Sequence, residues 1–214
     1  MKNAFTMIEL VFVIVIVGIL SVMIVPNFQG NNLRQAADQV VSHIRYVQHL
    51  AMMDDKFDST DSHWYRHRWQ IVFNSDGHTY NKHAYTIFHD DNENGNPNLT
   101  TNEVAINPMN DSQYLTGGYS NIIYSDGIGA TKSMNLGMEY GITDVVLSST
   151  CKFAGSSRIS FDRLGRPLKG SPKSFSAIYQ TNRLITNKCN ITLTDGIDNI
   201  VIQIEPETGY VHIL

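Results

Sequence analysis

Hydrophobic residues are concentrated at the beginning of the chain. Residues 10–25 carry no charge and nothing more polar than Ser21, and Pro26 ends the run. At ~1.5 Å per residue a helix over residues 5–28 would be about 35 Å long, which exceeds the roughly 30 Å hydrocarbon core of a bilayer. The pattern predicts a transmembrane helix. Glu9 lies at its front, where an ordinary membrane anchor has an apolar residue, and such a carboxylate calls for a partner.

A second pattern follows in steps of three and four residues, which is the spacing of an amphipathic helix. Gly30-Asn31-Asn32 is expected to loosen the chain between the two patterns, and the second helix is expected to end near Met53. The apolar stripe of this helix consists of Leu33, Ala37, Val40, Ile44, Val47 and Ala51.

From residue 69 onwards, short apolar runs alternate with turn residues. Residues 69–73 and 84–88 flank the turn-rich segment 74–77 and predict a hairpin-like pair of strands. The fold class predicted is α+β, with a long N-terminal helix, its first half transmembrane, packed on an antiparallel β-sheet domain. The other strand candidates are 104–106, 122–124, 144–147, 158–161, 176–179, 190–194, 200–204 and 210–214.

Charge and cysteine content restrict the compartment and the partners. The formal net charge is -4, so nothing attracts the whole chain to nucleic acid. Lys2 precedes the apolar run and the polar bulk follows it, which places the N-terminus in the cytoplasm and the domain outside. Cys151 and Cys189 are expected to form a disulfide in that oxidising space, with two free buried thiols as the alternative.

The start of the apolar run is similar to the processing site of type IV pilins and of the pseudopilins of type II secretion systems. In that family a short basic leader is removed before a Phe, and the new amino terminus is methylated. The mature chain then carries Glu at its fifth position and Pro at its twenty-second, which are Glu9 and Pro26 when counted from Phe5. Ala4 departs from the Gly that usually precedes the cut. A cleaved signal peptide and a simple anchor are the alternatives.

The resemblance implies an organisation for the whole chain. Residues 1–4 would be the leader, 5–28 the hydrophobic transmembrane and assembly helix, 29–56 its amphipathic second half, and 57–214 a periplasmic β-rich domain. Weaker similarity over scattered segments resembles the H-type minor pseudopilins and the related fimbrial T minor pilins. These segments are 33–53, 88–95, 159–167 and 204–211.

The function implied is that of a minor pseudopilin, a structural subunit of a pilus-like fibre in a type II secretion system. Such a subunit is a single-pass protein of the bacterial inner membrane. Its partners would be other pseudopilins, the prepilin peptidase that cuts between Ala4 and Phe5, and the inner-membrane assembly platform. Glu9 is expected to meet the methylated amine of a neighbour's Phe5. The alternative is a minor type IV pilin that acts in pilus biogenesis or DNA uptake.

One loop resembles the front of a calcium-binding loop. Asp90, Asn92 and Asn94 place oxygen donors at alternate positions before Gly95. The position that requires a closing Glu is Thr101, so calcium would bind weakly at best. A polar loop that turns at Asn94-Gly95 with positive φ is the favoured interpretation.

The remaining candidates carry weaker signals. His63 and His67 have the spacing of two metal ligands on a helical face, but the sequence offers no third ligand, and partly exposed histidines are expected. Arg163, Arg166 and Lys169 are candidate DNA contacts. A solvated basic loop is favoured there, because the span lacks stacking aromatics and nucleic-acid binding by this acidic chain is not expected. No catalytic motif stands out, so neither an enzyme activity nor a cofactor is expected.

Overall fold

One long helix precedes the sheets. The computed structural model describes residues 6–98, 102–119 and 129–214, and for residues 22–31 it describes the backbone alone. Helix α1 runs from Met7 to Met53, without an interruption at Gly30-Asn31-Asn32. A second, short helix, α2, spans Leu136–Glu139. The 3-10 turns are Trp64–Arg66, Gly77–Thr79, Lys132–Met134, Ser149–Cys151 and Pro172–Ser174.

The strands of the described residues form two four-stranded sheets and one two-stranded pair, and every pairing is antiparallel. The first sheet has the order β2-β1-β6-β7, the second has the order β10-β9-β8-β5, and β3 pairs with β4. The fold is therefore α+β with antiparallel sheets, as expected. The strands are β1 Gln70–Asn74, β2 Ala84–Phe88, β3 Ile106–Asn107, β4 Asn110–Tyr114, β5 Asp144–Leu147, β6 Arg158–Phe161, β7 Pro167–Lys169, β8 Cys189–Thr194, β9 Asn199–Ile204 and β10 Val211–Ile213.

The second half of α1 provides the surface on which both sheets pack. It contacts β1 and β6 of the first sheet and β8, β9 and β10 of the second. All six residues of the predicted apolar stripe are buried, and Ala36 and Val41 are buried beside them. Full burial of a Val, Leu or Ile side chain contributes about 1.5–3 kcal/mol, so this stripe is a large part of the core.

The prediction that the first half of α1 crosses a membrane is wrong. Within the part of the chain that the structure describes, no helix is both long enough and apolar enough for a membrane span. A single-pass arrangement in the inner membrane is therefore not supported.

Seven predicted strands correspond to observed strands, with ends shifted by one residue at most. They are 69–73, 84–88, 144–147, 158–161, 190–194, 200–204 and 210–214. Residues 176–179 are an exposed loop. Of the candidate at 104–106, Val104 makes an isolated bridge to Phe88 and Ile106 begins the strand β3. The candidate at 122–124 lies outside the described residues. Two strands, β4 and β7, were not predicted, because β4 is polar and β7 begins with a proline.

A disulfide joins the second sheet to the turn that follows β5. Cys151 ends the 3-10 turn after β5, Cys189 begins β8, and both are completely buried. The expected pairing is present, since the two residues are bonded. β5 and β8 are neighbours in the sheet. The disulfide therefore holds the turn that follows β5 against the beginning of β8.

Loss of this disulfide should weaken the fold. The bond links residues 38 apart, so breaking it should lower the free energy of unfolding by about 3–4 kcal/mol through the added entropy of the unfolded chain. Urea unfolding with and without reductant measures the difference, and the double variant Cys151→Ala/Cys189→Ala must not respond to reductant. Equal stability of the oxidised and reduced protein would contradict the prediction.

A polar network crosses the boundary between α1 and the first sheet. His43 Nδ1 lies 2.6 Å from the Tyr85 hydroxyl, and Gln39 Nε2 donates to the same hydroxyl at 2.8 Å. Tyr140 donates its hydroxyl to Gln39 Oε1 at 2.7 Å. Burial lowers the pKa of His43 from its ordinary 6.5 to about 4, and burial also raises the pKa of Tyr85. His43 is therefore neutral at physiological pH and is hydrogen-bonded to the Tyr85 hydroxyl.

The fold should lose stability in mild acid because of His43. The unfolded chain binds a proton at His43 below about pH 6.5, whereas the folded chain binds it only near pH 4. Between about pH 7 and pH 5 this group should therefore reduce the free energy of unfolding by about 2 kcal/mol. Urea unfolding at both pH values should show a smaller loss for His43→Gln than for the wild type. If the free energy of unfolding fell equally in both proteins between pH 7 and pH 5, a group other than His43 would cause the acid sensitivity.

Candidate assembly surface

The N-terminus of α1 is capped by two side chains that bond to each other's backbone. Thr6 is the N-cap, and its Oγ1 accepts a hydrogen bond from the Glu9 N–H at 3.4 Å. Glu9 Oε2 accepts from the Thr6 N–H at 3.0 Å and from the Thr6 hydroxyl at 2.9 Å. This reciprocal arrangement is a capping box, which satisfies amide groups that have no partner within the helix.

The capping box also determines the charge at this end of the helix. The hydrogen bonds from the Thr6 backbone and side chain lower the pKa of Glu9. Glu9 therefore carries its negative charge at neutral pH, next to the positive end of the helix dipole. Any partner that buries this end of the helix has to compensate that charge.

Beyond the cap, α1 is apolar on all sides and has no cover. Every residue from Thr6 to Ser21 is exposed to solvent in the isolated chain. Ser21 bonds its hydroxyl to the carbonyl of Val17 at 2.7 Å, so even its polar group is satisfied within the helix. A helix that is hydrophobic all round is normally buried, so this surface requires a partner. The exposed apolar side chains are Met7, Ile8, Leu10, Val11, Phe12, Val13, Ile14, Val15, Ile16, Val17, Ile19 and Leu20, and they define the apolar segment.

Only part of the expected assembly motif lies within the described residues. Glu9 is described, whereas the cleavage and methylation residues Ala4 and Phe5 lie outside the described residues. The side chain of Pro26 also lies outside the described part of the chain. Cleavage, methylation and the pairing of Glu9 with a neighbouring amine therefore stay predictions.

The calcium-like loop is held together by its own hydrogen bonds. Asn92 Oδ1 accepts from the Asn94 N–H at 3.0 Å, and Asn94 Oδ1 accepts from the Asn96 N–H at 2.6 Å. Glu103 is completely buried, and its two carboxylate oxygens accept the N–H groups of Asn92 and Asn98, each at 3.1 Å. Backbone amides thus occupy the oxygens that a calcium ion would need. Gly95 has φ +82°, as the expected turn requires.

Asp90 is the exception in this loop. Its Oδ2 accepts from the Gly95 N–H at 2.9 Å, while its buried Oδ1 has no partner among the described residues. Burial raises the pKa of Asp90, and the negative charge of Glu103 adds to the shift. With Asn92 and Asn94 engaged elsewhere, this single free oxygen does not make a calcium site.

The basic span does not form a continuous positive surface. Arg166 forms an ion pair with Asp162 at 2.7 Å, and Lys173 donates to the Asn94 carbonyl at 2.9 Å. Arg158 donates to the Tyr119 hydroxyl at 3.1 Å and lies over the ring of Phe88. Lys169 is only partly exposed, and Arg163 is the one exposed residue of the three DNA-contact candidates. The geometry favours the solvated-loop interpretation.

Comparisons with known proteins identify no relative. No protein-family model matches the chain, and neither a curated protein nor a solved structure matches it.

Sequence analysis does not predict that Thr6 caps the helix and bonds to Glu9. The segment Thr6-Met7-Ile8-Glu9 has the spacing of a capping box, with Thr at the cap and Glu three residues later. That signal was available in the sequence. The same Glu9 also fits the role of a charge that a neighbouring subunit compensates, so the sequence alone does not separate the two roles.

Proposed function

We propose that this chain is a structural subunit of a pilus-like fibre, of the minor pseudopilin type found in type II secretion systems. The observation that carries the proposal is the apolar segment of α1. It projects from a domain that buries the other half of the same helix, and it has no cover of its own. The register of Phe5, Glu9 and Pro26, which resembles that of pilins and pseudopilins, supports the same assignment.

The occupant of this surface is the same segment of neighbouring subunits. A helix with apolar side chains on all sides needs contacts on all sides, and a bundle of identical helices provides them. A single partner protein would cover one face and leave the opposite face in water. The apolar segment contains Gly18, around which a Cβ would find nothing within 4 Å, so a neighbouring backbone can approach there.

Glu9 gives such a bundle its register. A carboxylate that is charged at neutral pH cannot be buried among apolar helices without a cationic partner. The methylated amine at a neighbour's mature Phe5 is a cation at the end of an otherwise uncharged segment. A subunit docked out of register would leave both charges buried and unpaired, which costs far more than the paired arrangement gains.

The disulfide in the domain supports the proposal that the protein is exported. A buried disulfide is typical of proteins that fold in an oxidising compartment outside the cytoplasm. The proposed subunit would expose this domain on the outside of the fibre, where it contacts other pseudopilins or secreted cargo. A DNA-uptake minor pilin would use the same scaffold, and the ion pair and hydrogen bonds of the basic span argue against that alternative.

Maturation provides the first test. Mass spectrometry of the protein isolated from its own bacterium should show a chain that begins at N-methylated Phe5. The replacement Phe5→Asp, which alters the residue after the cut, should serve as the unprocessed control. A mature chain that begins beyond Val25 would identify a cleaved signal peptide and would reject the assignment.

The second test separates the charge of Glu9 from its role as a cap. Glu9→Gln removes the charge and keeps a capping box, because Gln serves at this position as well as Glu. Thr6→Val removes the side-chain cap and keeps the charge. We expect Glu9→Gln to abolish incorporation into fibres and secretion, and we expect Thr6→Val to retain both. The measurement is complementation of a deletion strain, scored beside a blot for protein abundance.

The pattern across the variants decides between the roles. If Thr6→Val fails and Glu9→Gln works, then Glu9 acts through helix capping and the docking role is refuted. If both variants restore fibre incorporation and secretion, the charge of Glu9 is not needed for assembly, and the docking role is refuted. Scoring DNA uptake beside secretion in the same strains distinguishes the pseudopilin from the DNA-uptake minor pilin.

A further inference from the structure

Two segments that are distant in sequence bring histidines and carboxylates together at one place on the domain surface. One segment runs from Asp61 to His67, and the other is the loop that contains Glu93. Single ligand atoms of Asp61, His63 and Glu93 all lie within 4.8 Å of one another. His67 is not part of this three-residue cluster, but its Nε2 lies 3.6 Å from Asp61 Oδ2 and 3.8 Å from Glu93 Oε1, next to two of the three ligands.

The spacing is that of ligands around one small cation. Zinc binds nitrogen and carboxylate oxygen at about 2.0–2.2 Å in tetrahedral sites, and tetrahedral angles then place neighbouring ligand atoms about 3.3–3.6 Å apart. His63 Nδ1 lies 3.8 Å from Glu93 Oε1, close to that range. Two imidazoles and two carboxylates form a ligand set that suits Zn²⁺ better than Ca²⁺ or Mg²⁺, since those ions prefer oxygen ligands.

Neighbouring groups orient the two carboxylates so that one oxygen of each remains available. Asp61 Oδ1 accepts the His63 N–H at 2.8 Å, which leaves Oδ2 towards His67. Arg66 Nη1 binds Glu93 Oε2 at 2.7 Å, which leaves Oε1 towards both histidines. Outer contacts of this kind commonly hold metal ligands in place. Arg66 offsets one of the negative charges of the two carboxylates. Asp61, Glu93 and Arg66 together therefore keep one negative charge, which attracts a cation.

The exposure of the side chains is compatible with metal entry. The side chain of His67 is 17% exposed, whereas that of His63 is 47% exposed. Asp61 and Glu93 lie between these values, at 32% and 29%. The ligands are thus sheltered on one side and open on the other, so an ion can reach them from solvent.

We propose that Asp61, His63, His67 and Glu93 form a zinc site that ties the segment after α1 to the calcium-like loop. The site acts as a structural clamp, because four protein ligands leave no coordination position for a substrate. The proposal is independent of the fibre assignment, since none of its residues belongs to the apolar segment. It would hold equally for a minor pilin of another system.

The experiment uses the full chain in mild detergent, purified without a polyhistidine tag and freed of metal with a chelator. Co²⁺ is the spectroscopic probe, because tetrahedral Co²⁺ absorbs strongly in the visible range, and Zn²⁺ is the competitor. We expect one equivalent of Co²⁺ to give the tetrahedral spectrum and Zn²⁺ to abolish it. Zn²⁺ should also raise the Tm of the domain, because it binds the folded state.

Variants assign the ligands. His67→Ala and the nearly isosteric Glu93→Gln should weaken Zn²⁺ binding by more than the roughly 10- to 100-fold that loss of an outer-shell partner costs. His78→Ala is the matched control. His78 also faces a carboxylate, Asp76, at 3.3 Å, but it belongs to no cluster of three or more ligands within the described ranges. The variant His78→Ala should therefore bind Zn²⁺ as tightly as the wild type.

The outcomes are decisive even if one variant folds poorly. His63 is the most exposed of the four ligands, so His63→Gln is expected to fold, and circular dichroism checks each variant. Weaker binding in the ligand variants together with unchanged binding in His78→Ala supports the site. Absence of a tetrahedral Co²⁺ spectrum in the wild type overturns the proposal, because the cluster is then a set of ordinary ion pairs. Wild-type affinity in both His63→Gln and Glu93→Gln overturns it as well.

Discussion

Burial of one stripe of α1 against two separate sheets is the interaction on which the rest of the molecule depends. The sheets do not share a strand, so the helix is the common surface between them. Ile71 and Ile159 of the first sheet and Ile191 and Ile202 of the second are completely buried in the same core as the helix stripe. Removing the helix would expose an apolar face on each sheet at once. The disulfide and the His43 network reinforce this arrangement rather than create it.

The same helix then imposes a constraint on function. One half has a single apolar stripe and a partner within the chain, whereas the apolar segment is hydrophobic on every side and has none. The domain fixes the direction in which the helix leaves it, because the stripe from Leu33 to Ala51 can pack in only one orientation. In the proposed fibre, this fixed direction lets helices bundle inside while domains remain outside. Glu9, capped by Thr6, then provides the one charge that distinguishes a correct register from a wrong one.

The repeat of apolar residues along the sequence predicts the helices and strands that bury one face. It does not predict a strand whose side chains are mostly exposed, or a short strand that begins with a proline. The six-residue stripe of α1 and the strand Ala84–Phe88 were readable, because their apolar side chains follow the helix or strand repeat. Asn110–Tyr114 is a strand with polar, mostly exposed side chains that pairs with the short strand β3. Pro167–Lys169 forms the edge of the first sheet, where a proline that donates no hydrogen bond is tolerated. Backbone pairing of the exposed strand leaves little trace in the sequence, whereas β7 buries Pro167 and Leu168 but is too short to show a repeat.

The transmembrane prediction is wrong, and the proposed metal site is not predicted from the sequence, for different physical reasons. The apolar run reads as a membrane span because hydropathy is the same whether lipid or another helix covers the surface. Hydropathy therefore identifies a surface that must be covered and leaves the covering partner undetermined. For the histidine pair, the sequence shows two of the ligands but not the distant residue that completes the cluster. His63 and His67 are visible in the sequence, but Glu93 lies in a separate loop whose own hydrogen bonds bring it close. In the proposed site, Asp61, His63 and His67 are close in the sequence, and only the tertiary fold brings Glu93 next to them.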